Sequence, residues 1–295
     1  MPDRFYIVDV FAEQAYAGNP LAVVTCDAFP AADTMQKIAA ETNFSETTFV
    51  ITRPEMDGGY RMRIFTPARE IEFTGHPLLG SAWVVREFLS ASRQSSVQLN
   101  TPVGAVQVDF EQADSGNEVT WFTAPQLLPG KVAPIEPVAA ALGLQPEDID
   151  LRSPVQVVSA GTSAMIVPVT GLAALERAML NLDAFAGLAQ QGFPPLLYLV
   201  SRQTRKPEND LCVRFFFEAH GVREDPATGN GAAFLGRYLL EHATDSSESI
   251  SLSIEQGHDL RRPSLILLQA TMVKGVARVR VGGQVLLTVQ GQLHD

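Results

Sequence analysis

Apolar residues in this chain come mostly in short runs, many of them interleaved with polar ones. In Val276-Ala277-Arg278-Val279-Arg280-Val281 the period is two, which puts Ala277, Val279 and Val281 on one face and Arg278 and Arg280 on the other. Such alternation predicts strands of sheets with one face in water. The same reading predicts strands at 5–11, 21–25, 47–51, 60–66, 97–101, 105–110 and 119–123. A second set is predicted at 155–159, 164–169, 196–201, 212–217, 249–254, 264–270, 276–281 and 285–289. Two stretches carry the helical stripe instead. One starts at about Asp33, read as its N-cap, and presents Met35, Ile38 and Ala39; the other presents Leu172, Leu175, Met179 and Leu182.

Two further helices are of another kind. Leu78 to Val85 follows Gly75-His76-Pro77, and Gly231 to Leu240 follows Asp225-Pro226-Ala227-Thr228-Gly229-Asn230; both are apolar on nearly every side. A helix apolar all round is a buried one, so each is expected inside a curled sheet. They occupy matching places, each after a strand with Arg and Phe, Arg63-Ile64-Phe65 and Arg214-Phe215-Phe216. Setting Phe65 against Phe215 brings Gly75 opposite Asp225, which reads as an internal duplication joined through the proline-rich stretch 125–137.

Composition narrows the class. At 295 residues the chain is long enough for two domains, and with 46% apolar residues it can bury a core in each. A net charge of -11 argues against nucleic acid as a partner. The N-terminus reads as a strand without a secretory signal, and no stretch is long and apolar enough to span a bilayer, so a cytoplasmic protein with no membrane partner is expected. Cys26 and Cys212 lie far apart in apolar strands and read as reduced core thiols. The five histidines have no metal-ligand spacing, and no nucleophile elbow or complete dinucleotide fingerprint is present. No metal and no cofactor is expected.

The chemistry-bearing positions cluster at the two buried helix starts. Small residues and proline there leave first-turn N–H groups bare at the positive end of the dipole, an arrangement suited to a carboxylate. Glu46, just before an apolar strand, His76 and Asp225 each have an ordinary structural reading as loop acid, satisfied histidine and N-cap. They also have a chemical one: a carboxylate partly withdrawn from water is a usable base for a C–H proton.

Together the motifs resemble those of the PhzF-like proteins. Gly18-Asn19-Pro20-Leu21-Ala22-Val23, Asn43 to Phe49, Phe65-Thr66-Pro67 with Gly75-His76-Pro77, and Gly221 to Gly229 match family segments in order. So do Gln256-Gly257, Arg262-Pro263-Ser264 and Val281-Gly282-Gly283. The resemblance implies a diaminopimelate-epimerase-like α/β (α+β) fold of two similar domains, each a curled sheet around a central helix, with the active site between them. The expected division is 1–122, with the strand at 283–295, and 123–282. It further implies a cofactor-independent isomerase in which Glu46 moves a proton between carbons of a small cyclic carboxylate, assisted by His76 and Asp225. That is the reaction of trans-2,3-dihydro-3-hydroxyanthranilate isomerases. Substrate contacts are expected at Asn19, Ser45, Gly75, Thr228, Gly229, Asn230 and Gly231, and a homodimer is expected. An epimerase or racemase, or a carboxylate-binding protein without turnover, are the alternatives. In two-thiol racemases of the wider superfamily, cysteines stand at the positions matched here by Gly75 and Asp225. Asn230 and Gly231 replace a Ser-Ala pair of the phenazine enzyme, and Glu218 and His220 depart from the usual pattern before Gly221.

Overall fold

The computed structural model describes residues 3–113, 116–217, 224–242 and 249–294. The chain divides into two compact units, Met1–Thr123 with Gly282–Asp295, and Ala124–Val281. In the first, β1 (Arg4–Val10) and β2 (Asn19–Cys26) pair antiparallel. Helix α1 (Ala32–Thr42) leads to β3 (Glu46–Ile51), which lies parallel to β2. β4 (Tyr60–Phe65) returns antiparallel to β3, and the two-residue β5 (Glu70–Ile71) pairs with β4. After α2 (Gly75–Val84) comes β6 (Ser96–Thr101), parallel to β4, followed by the meander β7 (Gly104–Gln112) and β8 (Glu118–Thr123).

The second unit repeats this order. β9 (Leu128–Val132) and α3 (Ile135–Ala141) precede β10 (Gln156–Ala160) and β11 (Thr162–Pro168), an antiparallel pair. Helices α4 (Leu172–Arg177) and α5 (Leu182–Gln190) lead to β12 (Leu196–Ser201), parallel to β11. β13 (Leu211–Phe217) and the short β14 (Glu224–Asp225) follow antiparallel, then α6 (Gly229–His242). β15 (Ser249–Gln256) is parallel to β13; β16 (Ser264–Val273) and β17 (Val276–Gly283) come next. The last strand, β18 (Val285–Gln292), belongs to the first unit and pairs with β1, as β9 pairs with β10.

Each unit is thus a curled sheet around one helix. In the first, α2 touches β1, β2, β3, β6, β7, β8 and β18; in the second, α6 touches β9, β10, β11, β15 and β16. Leu78, Leu79 and Ala82 of α2 and Ala232, Phe234, Leu235 and Leu239 of α6 are buried, as their sequence requires. Burying each such large side chain stabilises the fold by about 1.5–3 kcal/mol. Trp83, expected among them, is half-buried and meets Phe88 edge-on instead.

The register corrects the alignment of the two halves. Arg63 lays its guanidinium on both carboxylate oxygens of Glu70, and Arg214 does the same to Glu224. Each arginine also covers the ring two residues on, Phe65 at 5.3 Å and Phe216 at 4.7 Å. Tyr60 pairs with Leu99 as Leu211 pairs with Ile254. Arg63 therefore corresponds to Arg214, and Phe65 to Phe216 rather than Phe215. The spacing from Arg214 to Glu224 is three residues longer than that from Arg63 to Glu70, so Glu70 corresponds to Glu224 and Gly75 to Gly229, not to Asp225. Asp225 corresponds to Ile71, each pairing with the residue before the matched phenylalanine, Phe215 and Ile64 respectively.

Three local expectations also change. Helix α1 starts at Ala32 with Ala31 as N-cap, which places Asp33 inside its first turn. The helix expected over Leu172 to Leu182 is two, because Asn181 accepts a hydrogen bond from the Ala184 N–H and starts α5 afresh, leaving Met179 exposed. The proline-rich stretch 125–137 holds β9 and the start of α3.

Candidate functional site

In the first unit three chain segments converge. Gly18 takes φ +66°, and a Cβ there would lie 2.3 Å from the Val10 carbonyl oxygen, so only glycine fits. That turn delivers Asn19, fully buried, as the first residue of β2. Asn43 closes α1 in the left-handed region, which asparagine tolerates, and two residues later the partly buried Ser45 leads into Glu46, the first residue of β3. Thr47 is tied back to Thr42 at 2.8 Å. The third segment is the first turn of α2, where Gly75 and His76 are both buried behind the extended Thr74.

His76 Nε2 lies 3.4 Å from Glu46 Oε2, and His76 Nδ1 lies 3.4 Å from the Asn19 amide nitrogen. The second distance is at the outer edge of hydrogen bonding, whereas the first is a close approach and not a hydrogen bond, His76 Nε2 having no hydrogen-bond partner among the described residues. Burial pushes the His76 pKa down to about 3, so the imidazole is neutral through the physiological range. With Nδ1 assigned as acceptor from the Asn19 amide, the ring proton sits on Nε2 and faces the Glu46 carboxylate. Glu46 itself is 13% exposed, withdrawn from water but reachable.

The second unit builds its own cluster. Asp225, buried at the end of β14, accepts a 2.6 Å hydrogen bond from the Thr228 hydroxyl. Gln256, buried at the end of β15, donates to the Asp225 carbonyl at 2.8 Å and to Thr228 Oγ1 at 3.0 Å, and it accepts from the Thr228 N–H at 3.1 Å. Ser264 donates to the Pro226 carbonyl at 3.1 Å. The loop from Asp225 to Thr228 is thereby fixed, and Gly229, Asn230 and Gly231 form the first turn of α6.

The structure therefore brings Asn19, Glu46 and His76 together, and separately Asp225 and Thr228. Glu218, His220 and Gly221-Val222-Arg223 lie outside the described residues. Gln256, quoted in the sequence only as part of a motif, proves to be the group that organises Asp225 and Thr228. Its partners lie 28 and 31 residues away, so no local pattern marks it.

Neither cysteine stands at a central helix start. Cys26 ends β2 and Cys212 lies within β13, and burial pushes both thiols up to about 12. The positions that open α2 and α6 are Gly75 and Gly229. Among the described residues no group of three or more His, Cys, Asp or Glu side chains could hold a metal ion, and no helix is long and apolar enough to cross a membrane.

Residues 8–291 match the family model described as phenazine biosynthesis-like protein. An uncharacterized isomerase of Mesorhizobium japonicum is 34% identical, the match covering 99% of each chain. The trans-2,3-dihydro-3-hydroxyanthranilate isomerase of Pseudomonas aeruginosa is 32% identical, again over 99% of each. The crystal structure of a PhzF-family phenazine biosynthesis protein from Bacillus anthracis superposes with a TM-score of 0.90 at 24% identity, covering 100% of both chains, and so shows the same fold. With a family match that spans nearly its whole length, the chain belongs to the phenazine biosynthesis-like (PhzF) family, and the relatives it resembles in sequence are named as isomerases.

Proposed function

We propose that this chain is a cofactor-independent isomerase that moves a proton between two carbons of a small cyclic carboxylate, with Glu46 as the shuttle. The observation that carries the reading is the approach of Glu46 Oε2 to the neutral, buried His76 at 3.4 Å. An imidazole that stays neutral offers Glu46 a fixed donor without neutralising it. Once the two groups draw within hydrogen-bond distance, the Nε2–H orients one carboxylate oxygen and leaves the other to take the carbon-bound proton. Long contacts of this kind tighten when substrate enters.

A single carboxylate that picks up a proton and returns it to a different carbon needs no second base. Once protonated, Glu46 is the acid for the return step. Asp225, held by Thr228 and Gln256, takes part in the same reaction by binding or protonating the substrate. The first turn of each central helix is suited to a carboxylate or ring substituent, with Asn19, Ser45 and Gly75 as the proposed contacts in the first unit and Thr228, Gly229, Asn230 and Gly231 in the second. Trans-2,3-dihydro-3-hydroxyanthranilate, named for the Pseudomonas aeruginosa relative, is the first substrate to try.

The test is to run the reaction in deuterium oxide and follow it by mass spectrometry. The wild-type protein is expected to convert the substrate, with deuterium at the receiving carbon only to the extent that Glu46 exchanges its proton with solvent before returning it, whereas Glu46→Gln is expected not to convert it at a comparable rate. Turnover by Glu46→Gln at the wild-type rate would remove Glu46 from the role.

A further inference from the structure

The duplication supplies an internal control that singles out Tyr198. Phe49 pairs with Arg63 and Leu199 with Arg214, so stepping back one residue sets Thr48 of β3 against Tyr198 of β12. Both point at the central helix of their unit. In the first unit the Thr48 hydroxyl meets Ser81 of α2 at 2.8 Å. The residue of α6 that corresponds to Ser81 is Leu235, which has no polar group to offer. Tyr198 is fully buried and its hydroxyl has no hydrogen-bond partner among the described residues. A buried donor left unpaired is costly and normally has a function.

Its surroundings say what that function is. Tyr198 stands opposite Phe215, and Phe215 stands opposite Asp225, so the three share one row across β12, β13 and β14 and one face of the sheet. The Tyr198 ring meets Phe215 edge-on, with centroids 5.6 Å apart. Its other neighbour is Gly231 in the first turn of α6. A Cβ on Gly231 would lie 2.5 Å from the Tyr198 ring and 3.2 Å from the carbon that bears the hydroxyl. The glycine is the notch that admits the ring to the helix start. Burial, with the charge of Asp225 adding to it, drives the phenol pKa far above its usual range, so the group is a donor and not a phenolate.

We infer that Tyr198 contacts the substrate and helps set its specificity: its hydroxyl donates a hydrogen bond to an oxygen of the ligand held at the first turn of α6, and Gly231 makes room for it. This rests on the reading of that turn as a carboxylate site given above. The first unit, where the corresponding hydroxyl is consumed by Ser81, has no such donor at that position.

The experiment compares wild type with Tyr198→Phe, which removes one oxygen and keeps the ring. Two quantities are measured: the unfolding midpoint without ligand, and the Kd for 3-hydroxyanthranilate, an aromatic and unreactive relative of the proposed substrate, by calorimetric titration. The expected result is an unchanged or raised midpoint together with binding weakened about tenfold, the loss of one hydrogen bond to a charged or polar oxygen. Equal affinity overturns the inference, as does a lowered midpoint without ligand, which would reveal a partner inside the protein. Failure of the wild-type protein to bind the probe overturns it too. Glu46→Gln, which keeps the α6 site intact, separates the two readings. Turnover by that variant refutes the shuttle alone, whereas tight binding by Tyr198→Phe refutes the tyrosine alone.

Discussion

Glu46 and Leu196 hold the same position in the two halves, each opening a strand three residues before the partner of the forked arginine. The fold was doubled and the carboxylate was not. His76 likewise has Asn230 as its counterpart, so the Glu46–His76 pair has no equivalent at the matching positions of the second unit.

This asymmetry makes the first prediction sharp. Glu46→Gln keeps shape and hydrogen bonding but cannot carry the proton, so kcat is expected to fall at least about a hundredfold, the low end for general acid–base catalysis. Binding of 3-hydroxyanthranilate should change far less, since the two helix starts are untouched. Stopped-flow turnover and calorimetric titration check the two halves of the statement.

The second prediction concerns acid. His76 has a folded pKa of about 3 against 6.5 for a free imidazole. Between those values the unfolded chain binds more protons than the folded one, so stability rises with pH. The contribution is complete above pH 6.5 and is lost as pH falls below it, by about 1.4 kcal/mol per pH unit. Burial also depresses His242 and His258, which add slope of the same sign. The share of His76 is isolated by subtracting a His76→Gln variant in urea titrations between pH 7.5 and 5. Parallel curves for the two proteins would contradict it.

The third prediction concerns reagents. Both thiols are buried and pushed up to about 12, so neither is a thiolate near neutral pH. Native protein at pH 8 should resist alkylation at Cys26 and Cys212 and label at both once unfolded, as read by intact-mass spectrometry. Turnover should survive both the alkylating agent and a chelator. Activity lost to a chelator and restored by a divalent ion would end the cofactor-free reading.

What the sequence disclosed follows from the range of the interactions involved. The buried central helices were legible because their apolar character is continuous, and Leu78 and Leu235 could only be core. Glu46, His76 and Asp225 were legible as motifs, but the 3.4 Å approach of Glu46 to His76 joins residues thirty apart and has no local signature. The two-residue strands β5 and β14 were invisible because they are specified by Arg63–Glu70 and Arg214–Glu224, not by periodicity. That omission also misaligned the duplication. Matching phenylalanines, which any core strand can supply, put Phe65 against Phe215, whereas the charge pairs put it against Phe216 and moved the partner of Gly75 from Asp225 to Gly229.

The same two arginines give the last prediction, because equivalent bonds in unequal surroundings should have unequal weight. Arg63 and Glu70 are 27% and 36% exposed, so water can replace either partner, and Arg63→Met should cost about 1 kcal/mol or less. Arg214 and Glu224 are only 9% and 11% exposed. Besides its fork on Glu224, Arg214 donates through Nη1 to the Leu175 and Ala178 carbonyls at 2.9 Å each, closing the C-terminal end of α4. Removing it leaves a buried carboxylate and two carbonyls without their donor, a loss of about 3–5 kcal/mol. Glu224 is also the neighbour of Asp225 on β14, so Arg214→Met should loosen the Asp225–Thr228 pair and lower turnover. Arg63→Met, whose β5 carries no acid–base group of the site, should leave turnover nearly unchanged. Urea unfolding and steady-state rates on the two variants are the measurement. Equal losses of stability would show that the environment of the fork does not set its strength.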